Sequence, residues 1–258
     1  MLVRRPARGA PEVGLLAGPG VGLVGQVAVL ALLAQAVELS AAGWVAGLVF
    51  GLVTNVSLAS GLLRFGAGRL GPANAVTLVR AVLVGGVTAL VVDAFFEPAS
   101  VPVLMALATV ALLLDAVDGW VARRTGTSSR LGWRFDQETD AFLILVLSVY
   151  VAVTTVWWVL AIGLFRYLFA LAGYALPWMR GTLPARYWGK VVAAVQGVTL
   201  TVAAAGVLPR PWTLVALAVS AALLVESFTH SVRWLWRRRP VAPEQPARGA
   251  PARTGTTR

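Results

Sequence analysis

Four aspartates fall in two short-spaced pairs within DAVDGWVARRTGTSSRLGWRFDQETD, residues 115–140. Asp115 and Asp118 are three residues apart at the end of one apolar run, and Asp136 and Asp140 are four apart at the start of the next. Offsets of three and four put side chains on one face of a helix. Gly126, Thr127, Ser128, Ser129 and Gly132 between the pairs suit a tight reversal. The two helices are then expected to be antiparallel neighbours, with four carboxylates converging at one membrane edge. Anions packed this closely repel unless something neutralises them. One or two divalent cations do so at least cost. An all-oxygen ligand set selects Mg2+ or Mn2+, with Ca2+ as a further alternative. Two such ions about 4 Å apart clamp a phosphoryl group in transfer. The competing explanation is helix capping plus salt bridges to Arg123, Arg124, Arg130 and Arg134. Capping suits Asp136. It does not explain Asp115, which lies inside an apolar run and needs a partner there.

The composition says what must position these groups. Of 258 residues, 58% are hydrophobic and 13% charged. Such a chain is not an ordinary soluble domain but a polytopic membrane protein. With no cysteine, disulfides and thiolate metal sites are excluded, and a single histidine, His230, excludes a histidine-rich centre. The net charge of +11 does not indicate nucleic acid. The arginines sit between apolar runs, which points to membrane topology and anionic lipid headgroups.

Eight spans are expected, near residues 13–37, 41–63, 74–92, 101–121, 135–154, 156–176, 191–207 and 212–234. Each approaches the ~20 residues that a bilayer needs. The first run follows Arg4, Arg5 and Arg8 and is too long for a usual signal peptide, so it reads as an uncleaved span. With both termini inside, one side collects nearly all the basic residues, from Arg64 and Arg69 through Arg180 to Arg237. The other holds Glu38, Asp93, Glu97 and only Arg210. This bias places both termini and the aspartates on the cytoplasmic side of a plasma membrane, with a bacterial one favoured. Residues 237–258 are rich in Pro, Ala, Arg, Gly and Thr and read as a disordered basic tail.

The spacing D-x2-D-G-x2-A-R-x8-G-x3-D-x3-D resembles the signature of the CDP-alcohol phosphotransferases. Asp115, Asp118, Gly119, Ala122, Arg123, Gly132, Asp136 and Asp140 fill every fixed position. The resemblance covers about residues 72–236. It implies an all-α polytopic membrane protein with a six-helix transferase core. Two extra transmembrane helices in residues 1–71 precede it. It also implies a core open to the cytosol and laterally to lipid, and often paired as a homodimer. In family terms, Gly119, Ala122 and Gly132 leave room for the nucleotide, although small residues also favour close helix packing. Arg123 contacts the nucleotide in such enzymes, as a guanidinium suits phosphate. Ser129 supplies a hydroxyl near it.

Asn74, Thr77 and Arg80 resemble the family's opening segment, P-N-x-x-T-x-x-R, with Ala73 inserted after Pro72. They share one helix face and are expected to line the cavity; for Asn74, a helix cap is the simpler alternative. Gly189, Lys190 and Gln196 resemble the G-K-x-K-T-x-x-Q segment of phosphatidylglycerophosphate synthases, but Val192 and Ala193 replace its second lysine and threonine. Arg80, Arg186 and Lys190 are the acceptor or phosphate candidates. Arg166, mid-span, is expected to reach a phosphate or to pair with Glu226. Six tryptophans near span ends, Trp157 and Trp212 among them, read as an aromatic belt.

The expected reaction moves a phosphoalcohol group from a CDP-alcohol to an acceptor hydroxyl and releases CMP, within phospholipid synthesis. CDP-diacylglycerol is the favoured donor, since lateral access suits a lipid. Asp115, Asp118 and Asp136 are the expected ligands of two Mg2+ or Mn2+ ions. Asp140 is expected to touch the second ion and to act as general base. The alternatives are a soluble CDP-alcohol donor and a cation transporter without enzymatic activity.

Overall fold

The computed structural model describes residues 12–65, 71–98, 100–125, 129–180 and 187–238. Eight helices run through them: α1 (Glu12–Val37), α2 (Ala41–Phe65), α3 (Pro72–Asp93), α4 (Val101–Thr125), α5 (Arg130–Thr154), α6 (Leu160–Ala175), α7 (Tyr187–Ala205) and α8 (Arg210–Arg237). No strand occurs among the described residues. Eight helical segments are long and apolar enough to cross a membrane, the sixth when the turn Trp157–Val159 that leads into α6 is counted with it. The all-helical architecture expected from the sequence is the one observed.

The helices start and stop where local chemistry directs. Pro72 sits in the first turn of α3, where its missing N–H costs nothing. Ser129 caps α5, its hydroxyl accepting the Gly132 N–H at 3.0 Å. That cap starts α5 five residues before the expected start at 135. It also puts Asp136 in the second turn, so Asp136 is not a cap. Ser40 opens α2 by accepting the Gly43 N–H at 3.2 Å.

α3 is the axis of the bundle. In its most apolar stretch 67% of residues are buried, against 22% in α1 and α4. It packs on α1, α2, α4 and α5. Two features tie the first two helices to it. At one end, the Asp93 carboxylate that closes α3 accepts the Ser40 N–H at 2.9 Å. At the other, Leu58 and Leu62 of α2 are buried with Leu78 and Ala81 of α3 and Leu131 and Phe135 of α5. α2 therefore braces the start of α5. Between these ends Gln26 is 1% exposed, and its amide lies against Gly85, where any Cβ would overlap it.

The larger apolar core joins α3 to α4, α5, α7 and α8 through residues such as Val87, Leu104, Leu147, Leu200 and Leu217. α4 and α5 were expected to be close neighbours. They touch little, and both pack instead on α3 and α7. Spacing fixes which face a residue occupies but not which helix lies opposite.

Candidate active site

α4 and α5 each bring two aspartates to one end of the bundle, and α3 supplies what lies between them. Asp115 and Asp118 sit one turn apart near the end of α4; Asp136 and Asp140 sit one turn apart near the start of α5. Oxygens of Asp115, Asp118 and Asp136 lie within 4.8 Å of one another. The openness of the four is graded, with side-chain exposures of 40% for Asp115, 27% for Asp136, 25% for Asp140 and 6% for Asp118. Asp115 is thus the most open of the four and Asp118 the most enclosed.

Arg80 reaches all four. Nη1 pairs with Asp115 and, at 3.0 Å, with Asp118. Nη2 pairs with Asp136 at 2.5 Å and Asp140 at 3.1 Å, and lies 3.2 Å from the Asp136 carbonyl oxygen. Thr77, one turn before, has its hydroxyl 3.1 Å from both Asp118 Oδ2 and the Ala73 carbonyl. With one proton, it donates to one of them at a time. Thr77 and Arg80 thus share the expected face, and that face is turned to the carboxylates.

Asn74, on the same face, is buried and is not a cap; Gly71 holds that position in α3. Its side chain lies against Gly132. A Cβ at position 132 would sit 3.2 Å from Asn74 Cγ and overlap its Oδ1. Glycine there lets α5 approach α3 beside the carboxylates. Gly119 is half-buried, and Ser129 is exposed. Lys190 is exposed in the first turn of α7. The side chains of Ala122 and Arg123 and the whole of Arg186 lie outside the described residues, as do Gly126, Thr127 and Ser128 of the expected reversal and the tail from position 239.

A hard, all-carboxylate oxygen set fits a divalent cation of the Mg2+ or Mn2+ kind. The fit rests on Asp115, Asp118 and Asp136, with Asp140 a turn further along α5. The model for the CDP-alcohol phosphatidyltransferase family matches residues 71–229, more than half of the chain. The chain belongs to the CDP-alcohol phosphatidyltransferase family. Members move a phosphoalcohol group from a CDP-alcohol donor to an acceptor hydroxyl, so this is a membrane transferase whose matched region holds α3–α7 and most of α8. α1 and α2 precede that region. No curated protein and no solved structure matches the chain.

Other charged groups in this transferase find partners the sequence did not pair. Arg166 bonds Glu138 at 2.7 Å, not Glu226. Glu226 accepts from Trp188 Nε1 at 2.8 Å. Glu138 lies between Asp136 and Asp140 but faces α6, because an offset of two turns a side chain off the aspartate face. Gln196 is 3% exposed on α7, away from solvent.

Proposed function

We propose that this transferase takes CDP-diacylglycerol as donor, transfers its phosphatidyl group to the hydroxyl of a small acceptor and releases CMP, as a step of phospholipid synthesis. The observation that carries this reading is the convergence of Asp115, Asp118, Asp136 and Asp140 at one end of an apolar bundle. The bond from the acceptor oxygen to phosphorus forms as the bond from phosphorus to the CMP oxygen breaks. Asp115, Asp118 and Asp136 would hold two Mg2+ or Mn2+ ions. When bound, these ions supply the positive charge that the diphosphate and the leaving CMP require. Asp140, a turn beyond the triad, takes the acceptor's proton. Gly119, Ala122, Arg123, Ser129 and Gly132 form the nucleotide's side of the site, with Asn74 and Thr77. Lys190 and Arg186 serve the acceptor's phosphate, whereas Arg80, 1% exposed and paired with all four aspartates, holds the carboxylates instead of a phosphate. The excess of basic residues at the carboxylate end supports a cytoplasmic active site.

The test is CMP release by the purified protein from CDP-diacylglycerol with Mg2+ or Mn2+ over a panel of labelled acceptors, with products separated by thin-layer chromatography. CDP-choline and CDP-ethanolamine run in parallel as soluble donors, and Asp140→Asn is the control. Lipid product from CDP-diacylglycerol alone supports the proposal. Product only from a soluble donor replaces the donor, and no CMP from any pair leaves the transferase reading without support.

A further inference from the structure

Arg80 has a role in this site that the proposed phosphate chemistry does not use. Its side chain is 1% exposed, on the most deeply packed helix of the bundle. Its terminal nitrogens divide by helix, with Nη1 serving Asp115 and Asp118 of α4 and Nη2 serving Asp136 and Asp140 of α5. Those two helices scarcely touch one another. The guanidinium is therefore what joins the two aspartate pairs. It is planar and permanently charged, with donors and no acceptor, so it engages the carboxylates as a cation does. Asp115, Asp118 and Asp136, the three whose oxygens cluster within 4.8 Å, are all among its partners. Arg80 holds Oδ1 of Asp115, Oδ2 of Asp118 and Oδ1 of Asp136, so a divalent ion bound by those three meets carboxylates that the guanidinium already engages.

We infer that Arg80 is a positioning residue, a built-in counter-cation that keeps the α4 and α5 carboxylates in register and yields oxygens to divalent ions as they bind. The inference rests on the reading of the quartet as a divalent-cation site. One positive charge against four negative leaves the cluster strongly anionic and still attractive to divalent ions. Yet the cluster does not depend on them to stay together. Without Arg80, four carboxylates would face one another with no covalent countercharge, and the bundle would come to need metal.

The test compares full-length wild type, Arg80→Met and Arg80→Lys in detergent. Thermal unfolding is followed by tryptophan fluorescence in EDTA and in rising MnCl2, and Mn2+ binding by electron paramagnetic resonance. Wild type should rise in Mn2+ only by what its own Mn2+ binding supplies, and by less than Arg80→Met does. Arg80→Met should unfold well below it in EDTA and recover most of the difference in Mn2+. Its half-saturating Mn2+ concentration should be about tenfold lower or more, the size expected when a close competing charge is removed. Arg80→Lys, which keeps the charge but not the two-sided fork, should fall between the two. An Arg80→Met midpoint equal to wild type in EDTA overturns the inference, as does an equal rise with Mn2+ in both proteins. If wild type binds no Mn2+, the divalent site fails and the inference with it. Wild-type binding without selective rescue overturns the role of Arg80 alone. If Arg80→Met yields no folded protein in either buffer, the double variant Arg80→Met/Asp118→Asn decides. It removes the most enclosed negative charge together with the positive one. Folded protein in EDTA supports the inference, and its absence overturns it.

Discussion

At the scale of single residues, the four aspartates differ in setting, and the proposed mechanism gives them different tasks. Asp118 is nearly enclosed, touches Thr77 and Arg80, and belongs to the triad with Asp115 and Asp136. Asp140 sits a turn further on and shares Nη2 of Arg80. Asp140→Asn is expected to lower CMP release by about 10²–10⁴-fold, the usual contribution of a general base, while Mn2+ binding persists. Asp118→Asn is expected to lose Mn2+ binding as well. Kinetics set beside paramagnetic resonance on both variants separate the two roles. If they lose Mn2+ to the same degree, Asp140 has no distinct task. A second prediction concerns backbone approach. Gly132→Ala places a methyl on the Asn74 amide, so α5 must draw back from α3. The thermal unfolding midpoint should then fall, and Asn74→Ala in the same chain should restore part of it by clearing the overlap. A double variant no better than Gly132→Ala would show that the contact does not govern that approach.

At the scale of helices, α3 holds the arrangement together and α2 braces it. Leu62 is fully buried among side chains of α3 and α5, whereas its neighbour Leu63 is 65% exposed. Leu62→Ala should cost about 2–5 kcal/mol through lost burial and the cavity left behind. Leu63→Ala should change the unfolding midpoint little. Thermal unfolding of both variants checks this, and equal midpoints would mean that α2 does not support α5 in this way. Most of this scale was legible in the sequence. Runs of about 20 apolar residues, broken by Gly, Pro and Arg, fixed the number of helices and most of their ends. The start of α5 was not legible, because RLGWR reads as loop until Ser129 is seen to cap the helix. The partners of Arg80 were not legible either. Position on a face follows from an offset of three, but the convergence of α4 and α5 on α3 is decided by packing across the bundle. Arg166 shows the same limit: a mid-span charge announces that it has a partner without saying that the partner is Glu138.

At the scale of the whole molecule, charge is sorted between the two ends of the bundle. Among the described residues, the carboxylate end carries Arg64, Arg124, Arg134, Lys190, Arg233, Arg237 and Arg238, and the far end carries Glu38, Asp93 and Glu97 with Arg210. Basic residues are retained on the cytoplasmic side during insertion, and acidic residues weigh little in that choice. The carboxylate end is therefore expected to face the cytosol, where a nucleotide-linked donor and divalent ions are supplied. The lack of cysteine makes this directly measurable, since any introduced thiol is the only one present. Arg124→Cys and Arg237→Cys mark one end; Glu97→Cys and Val207→Cys mark the other, and all four positions are exposed. In intact bacterial cells expressing these chains, a membrane-impermeant maleimide should label positions 97 and 207 at once. Positions 124 and 237 should react only after the membrane is opened. The reverse pattern would put the aspartates on the outer face. Transfer from a cytosolic CDP-linked donor would then be untenable, however well the carboxylates are arranged.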